Sequence, residues 1–296
     1  MEREQIIQKF QNLNVWKNGE QRAVHKPLLA LYAIGKLLRG ESGLTPYTHI
    51  ETNLPNLLQE FGPWRNRPNP HHPFWRLRND EVWEVTNADQ IRQTSSGDAY
   101  VTDLKKYGVS GGFPEAIAEQ LKNDFGLAFE IIGRLLTSHF PISYHEDILQ
   151  AVGIELSFGF ASQPRDLNFR QNILEAYRHR CAICGFNVRL QERPVALEAA
   201  HIKWRMADGP DLIQNGIALC SLHHKLFDRG AFTLSEQLEL QVSKYVDRTS
   251  AGFKEWLMQF DGREINFPPE ETYYPHENYI RWHLKEVFKG PSREKI

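Results

Sequence analysis

A chain of 296 residues, 41% hydrophobic and 24% charged, is long enough for two cores and has the make-up of an ordinary globular protein. No apolar run reaches the roughly 20 residues that a membrane-spanning helix needs, and three cysteines without a signal-like start argue against a disulfide framework, so a reducing, bacterial-type cytoplasmic setting is expected. A net charge of −2 excludes a globally basic surface, so any site for a polyanion has to be a local patch.

In chain order, residues 3–13 and 25–39 predict helices, the second with Pro27 in its first turn. Residues 46–61 predict a helix broken around Pro55. Between Phe61 and Arg78 stand four arginines (Arg65, Arg67, Arg76, Arg78), two histidines and no acidic residue, with Trp64, Phe74 and Trp75 among them. Guanidinium forks suit phosphate oxygens and base edges, although a solvated basic loop has the same composition. Trp75–Leu77 and Val82–Val85, on either side of Asn79-Asp80, predict a short hairpin. Residues 114–121, 124–138 and 141–152 predict three more helices, two with proline near the start. The first domain, residues 1–155, is thus expected to be mostly helical with a small β-hairpin. Residues 156–165, inside the weakly charged run Gly153 to Pro164, are expected to be a linker that packs through Phe158 and Phe160.

Residues 166–296 form the second expected domain, opening with a helix over 166–179. Cys181 and Cys184 then form C-x-x-C, and Cys220 with His223 forms C-x-x-H. Three thiolates and an imidazole complete a tetrahedral Zn²⁺ site, whereas C-x-x-C alone could be a redox pair or two buried thiols. His201 ends the run from Val195, Asn215-Gly216 follows, and His224 stands four residues before Asp228. Four residues apart on a helix, an imidazole and a carboxylate share a face and make a hard half-site for Mg²⁺ or Mn²⁺. A free histidine opposite such an ion can deprotonate water for attack on phosphorus. Taken singly, paired histidines are often structural and Asn-Gly is a turn signal. Occurring together in this order, His201, Asn215 and His224 carry the HNH nuclease signature. Arg165, Arg170, Arg178, Arg180, Arg189 and Arg193 supply basic groups suited to duplex backbone. Beyond Gly230, residues 231–234 and 238–242 predict a hairpin, residues near 250–260 and 277–289 predict helices, and the polar tail from Pro291 to Ile296 is expected to be disordered. The fold class is α+β.

Residues 165–235 resemble the HNH domain of McrA-like, modification-dependent restriction endonucleases. The resemblance implies a ββα-metal core beside a zinc knuckle of Cys181, Cys184, Cys220 and His223. It makes His201 the general base, His224 and Asp228 the ligands of the catalytic ion, and Asn215 the residue that orients the intervening loop. Many such enzymes carry Asp or His just before the catalytic histidine; this chain has Ala200, so Glu198 becomes a candidate outer partner of the metal site.

The first half is similar to the sulfur-binding domain fused to HNH nucleases. The resemblance rests on His25–Leu31, Pro73–Leu77, Gly111-Gly112-Phe113, His139-Phe140-Pro141 and Asp147–Gly153, occurring in that order. It implies recognition of phosphorothioated duplex DNA, with His139, Phe140, Pro141, Tyr144, Arg76, Arg78, Arg65, Arg67 and Lys26 as candidate contacts. Sulfur is larger, softer and less hydrated than oxygen, so a shallow apolar cup of Phe140, Pro141 and Tyr144 at a helix start would favour it. Reading of a methylated or hydroxymethylated base through Trp64, Phe74 and Trp75, or a non-catalytic zinc-stabilised DNA-binding protein, are the alternatives. A homodimer would suit double-strand cleavage, because one HNH site cuts one strand.

Overall fold

Apolar spacing decides how the first half is built. In the computed structural model, which describes residues 2–15, 17–18, 21–22, 24–41, 43–63, 68–154, 167–191 and 193–293, the chain divides into two units, Met1–Phe160 and Ala161–Ile296. The linker expected at 156–165, with Phe158 and Phe160, lies outside the described residues, as do Trp64, Arg65, Arg67, Arg165 and residues 294–296.

In the first unit, Ile6, Ile7 and Phe10 give α1 (Arg3–Gln11) a single buried stripe. A two-residue hairpin, β1 (Lys17–Asn18) with β2 (Gln21–Arg22), leads to α2 (His25–Leu38). That helix is buried on nearly every side and forms the centre of the unit. Around it run β3 (Thr45–Pro46), α3 (Tyr47–Phe61), α4 (His71–Arg76), β4 (Glu84–Val85), α5 (Val101–Lys106), β5 (Ser110–Gly112), α6 (Glu115–Asn123), α7 (Phe125–His139) and α8 (Ile142–Ala151). The three short strands make one antiparallel sheet in the order β3-β5-β4. Gly35 lets α2 meet the end of α8: a Cβ there would lie 2.2 Å from the Val152 carbonyl oxygen, so no larger residue fits.

Two expectations are corrected here. Pro55 does not break α3, which runs from Tyr47 to Phe61. Proline costs a helix interior about 3 kcal/mol, but Ile50, Leu54, Leu57, Leu58 and Phe61 are buried along one face, each such burial being worth roughly 1.5–3 kcal/mol. No hairpin spans Trp75 to Val85 either. Trp75 belongs to α4, Leu77–Asp80 is a 3₁₀ turn, and Glu84–Val85 pairs with Ser110–Gly112 instead. Asp80 is not a hairpin turn residue. It accepts from the Asn14 backbone N–H and pairs with Lys26 at 2.5 Å, tying three segments together.

The second unit is a two-stranded sheet between helices. After α9 (Leu167–Ala176) and a hairpin of β6 (Arg189–Leu190) with β7 (Arg193–Pro194), β8 (Leu197–His201) pairs antiparallel with β9 (Gly216–Cys220), placing His201 opposite Gly216. Next come α10 (Ser221–Asp228), the hairpin β10 (Phe232–Leu234) with β11 (Leu240–Val242), α11 (Ala251–Trp256) and α12 (Glu277–Glu286). Ile173, Leu197, Ala200, Ile217, Ala218, Leu219 and Phe227 lie at the core of this unit. The expected disorder of the tail does not extend to Pro291–Arg293. Ser292 bridges to Ser243, and Arg293 lies over the Phe253 ring and donates to the Ser243 carbonyl, so backbone pairing and a cation–π contact hold it down. No described helix is long and apolar enough to cross a membrane.

Candidate active site

His201 occupies the end of β8, where the strand opens into the loop that returns through Asn215. Its imidazole stacks on Phe169 of α9 with ring centroids 4.0 Å apart, and its Nε2 lies 2.7 Å from Asp211 Oδ1. Burial lowers its pKa, and the hydrogen bond to Asp211 only partly opposes that, so the ring is neutral at neutral pH. Gly216, opposite His201, makes the stacking possible: a Cβ there would lie 2.1 Å from Ile173 Cδ1 and 3.0 Å from Phe169 Cζ. Asn215 is fully buried and uses both ends of its amide. Its Oδ1 accepts from the Lys203 N–H, and its Nδ2 donates to the carbonyls of Lys203 and Pro210. The loop between β8 and β9 is therefore clamped at Lys203 and Pro210 by one side chain.

His224 and Asp228 project from one face of α10, with His224 Nε2 3.2 Å from Asp228 Oδ2. Two ligand atoms on an octahedral ion at 2.0–2.1 Å are about 3 Å apart, so this pair fits one divalent cation. The other Asp228 oxygen accepts from Trp204 Nε1 at 3.2 Å. Side chains alternate along β8, so Glu198 and Ala200 share the face opposite His201. Glu198 reaches α10 from there: its Oε2 lies 2.5 Å from His224 Nδ1, and its Oε1 accepts from Ser221 Oγ at 2.7 Å. Burial opposes charge on His224, but Asp228 and then Glu198 outweigh it and lift its pKa to about 10. Ala200 is buried and offers no ligand, while Glu198, one strand period earlier, contacts the histidine itself.

Cys181, Cys184, Cys220 and His223 bring their ligand atoms within 4.8 Å of one another. Cys184 Sγ is 4.0 Å from Cys220 Sγ, and His223 Nδ1 is 3.7 Å from Cys181 Sγ and 3.1 Å from Cys220 Sγ. A tetrahedral ion with thiolate bonds of 2.3 Å has edges of about 3.8 Å, so the donor set fits such an ion. His223 Nε2 lies 2.8 Å from the Trp256 carbonyl, which receives its proton and frees Nδ1 for the cluster. Asn266 Nδ2 donates to the Ala182 carbonyl in the knuckle turn, tying that turn to a segment 84 residues later.

In the first unit the expected contacts fare unevenly. Phe140 is 1% and Tyr144 3% exposed, Tyr144 packing edge-on against Phe61, and Pro141 is buried too. The corner at the start of α8 therefore has these residues beneath it, with Ile142 as its exposed apolar member, and is not the open cup expected from the sequence. Helix formation explains this for Tyr144, which sits with Ile148 and Leu149 on the face that α8 turns to the core, while Phe140, where α7 ends, is buried before α8 begins. Arg76 commits its fork to Asp98, with bonds of 2.5 and 2.6 Å, and Lys26 is spent on Asp80. Arg78 places its guanidinium carbon over Trp75, 3.8 Å from the ring centroid. Phe74 and Trp75 are both core residues, so neither offers an exposed face for a flipped base. Asp98, Asp211, Phe169 and Trp204 were not singled out from the sequence. Asp98, Asp211 and Trp204 are isolated loop residues and Phe169 is a single aromatic of α9, so none carries a spacing signal of its own.

Compared with known proteins, residues 181–235 match the HNH endonuclease family and residues 3–157 match the ScoMcrA-like DNA sulfur-binding domain family. Among solved structures, the chain is similar to the sulfur binding domain of ScoMcrA complexed with phosphorothioated DNA, at 20% identity over 50% of this chain and 94% of that one, TM-score 0.44. It is similar to the corresponding SprMcrA domain, also complexed with phosphorothioated DNA, at 19% identity over 52% and 95%, TM-score 0.44. It is also similar to the type IV phosphorothioation-dependent restriction endonuclease ScoMcrA, at 20% identity, covering 56% of this chain and only 34% of that one, TM-score 0.42. No curated protein matches it. With more than half of its length matched, the chain belongs to the ScoMcrA-like DNA sulfur-binding domain family, and it joins that domain to an HNH endonuclease domain.

Proposed function

We propose that this protein is a type IV restriction endonuclease that binds phosphorothioated duplex DNA through residues 1–155 and hydrolyses phosphodiester bonds near the mark through residues 166–296. The observation that supports it most is the joining of a sulfur-binding domain to an HNH domain whose His201, Asn215, His224 and Asp228 keep a workable geometry. His201 acts as general base, taking a proton from the attacking water. Asn215 fixes the loop beside it. His224 and Asp228 hold Mg²⁺ or Mn²⁺, which when bound supplies positive charge for the pentavalent phosphorus and the leaving oxygen. Cys181, Cys184, Cys220 and His223 hold a structural Zn²⁺ and fix the start of α10, from which His224 projects. In the first domain, His139, Phe140, Pro141 and Tyr144 shape the sulfur-facing corner, while Arg78, Arg76, Lys26, Arg65 and Arg67 stand as candidates for the backbone, whether by contact or by shaping the surface. A homodimer acting on both strands fits this chemistry.

The test is a binding titration of the full chain, without divalent cation, against three matched duplexes: unmodified, and carrying either phosphorothioate diastereomer at one linkage. Only one non-bridging position can face the corner, so one diastereomer is expected to bind about tenfold to hundredfold tighter, as for burial of a small apolar group worth about 1–3 kcal/mol. Equal affinity for all three duplexes would overturn the sulfur reading in favour of a modified base.

A further inference from the structure

We propose that Asp211 is a positioning residue for hydrolysis, holding His201 in the single tautomer and orientation that can accept a proton from water. The proposal rests on the reading of His201 as general base. A carboxylate only accepts hydrogen bonds, so at 2.7 Å Asp211 Oδ1 must receive the Nε2–H of a neutral His201. The lone pair then resides on Nδ1, for which no described residue supplies a hydrogen-bond partner. Phe169 fixes the plane of the ring by stacking at an interplanar angle of 12°. Asp211 is itself held in place, because Asn215 Nδ2 grips the carbonyl of Pro210, the preceding residue, at 2.9 Å. Gly209 closes the same loop onto the Trp204 carbonyl. The buried asparagine of the signature thus places Asp211, and through it the imidazole.

The chemistry makes the carboxylate more than a tether. As the water oxygen bonds to phosphorus, its proton passes to Nδ1 and the opposite P–O ester bond breaks, the leaving alkoxide taking a proton from solvent. The imidazolium so formed sits beside Asp211, whose charge stabilises it when the positive charge develops. Among the described residues, Arg205, with Nε 3.8 Å from Asp211 Oδ2, and Asp228, which acts on His201 through space, are the other charged groups facing the pair. Stabilisation that arises only in the transition state affects kcat and leaves KM nearly untouched.

The experiment compares wild type, Asp211→Asn, Asp211→Glu and His201→Ala on a phosphorothioated duplex at saturating Mn²⁺, across pH. Asp211→Asn is expected to lower plateau kcat at least about 10²-fold with KM within about twofold, and to move the acid limb to lower pH as the imidazolium loses its anion. Asp211→Glu, which keeps the charge, is expected to restore part of the rate and the position of the limb, even should Asp211→Asn melt lower. A readout independent of turnover is the His201 Nε2–H proton resonance in protein without divalent cation, expected downfield in wild type and lost in Asp211→Ala. Wild-type kcat and an unmoved acid limb in Asp211→Asn, with His201→Ala inactive, would overturn the proposal and leave the base assignment standing. An active His201→Ala would overturn both.

Discussion

Each histidine of the nuclease site has a carboxylate from a neighbouring segment behind it, Asp211 at His201 Nε2 and Glu198 at His224 Nδ1, and these two differ in how visible they are in the sequence. Glu198 lies three residues before His201, inside the motif, and one strand period before Ala200. The pleat therefore puts it on the α10 face, where it meets His224 Nδ1 at 2.5 Å. If His224 binds a cation through Nε2, Glu198 stiffens the ring and raises its basicity, as carboxylates behind metal-bound histidines do. Replacing Glu198 with Gln keeps an acceptor but removes the charge. Glu198→Gln is therefore expected to weaken Mn²⁺ binding by about 10- to 100-fold, measured by calorimetric titration with the cysteine cluster already loaded, and to recover part of its cleavage rate at high Mn²⁺. Unchanged affinity would remove Glu198 from the site. Asp211 could not be picked out in the same way, since its partner stands ten residues earlier across a loop whose path is set by Asn215.

Among the elements, long periodic stretches were legible and short ones were not. The helices at 25–38, 115–123, 125–139 and 142–151 and the hairpin of Phe232–Leu234 with Leu240–Val242 follow directly from apolar spacing. Trp75–Leu77 reads as strand because aromatic residues favour strands locally, whereas Pro73, Phe74 and Trp75 are buried together against α2 and α3 as a helical turn. The two-residue strands around Ser110–Gly112 have no readable period at all. In the site, the grouping of Cys181, Cys184, Cys220 and His223 and the pairing of His224 with Asp228 follow from spacing, while the aromatic stack, Asp211 and the closed corner over Phe140 depend on contacts between distant segments. The knuckle shows why that matters for stability. Cys181 and Cys184 sit in a turn held by Asn266, Cys220 ends β9 and His223 lies in α10, so one ion would cross-link three elements. Cys220→Ser is expected to lose stoichiometric zinc, read by metal analysis, and to lower the melting transition of the nuclease domain by several degrees or more, with the other transition unchanged. Full zinc content in that variant would exclude Cys220 as a ligand.

For the whole molecule, a net charge of −2 has to be reconciled with a polyanionic partner. Among the described cations of the first domain, Arg76 is committed to Asp98, Lys26 to Asp80, Arg92 to Asp103 and Arg3 to Glu130. With these described cations already paired, backbone affinity is expected to be modest and discrimination to come from the mark. Counterion release makes the backbone contribution fall linearly on a log–log plot against salt, with a slope of about −0.9 for each phosphate contacted. Contact between sulfur and an apolar corner releases no counterion. The affinities of modified and unmodified duplex are therefore expected to fall in parallel between about 50 and 200 mM salt, with a shallow common slope of about −2 to −4 and an unchanged ratio. Fluorescence anisotropy titrations of both duplexes at four salt concentrations measure this directly. A ratio that collapses as salt rises would mean that the mark is read through charge, by a cation facing the more negative sulfur, and not through its poor hydration.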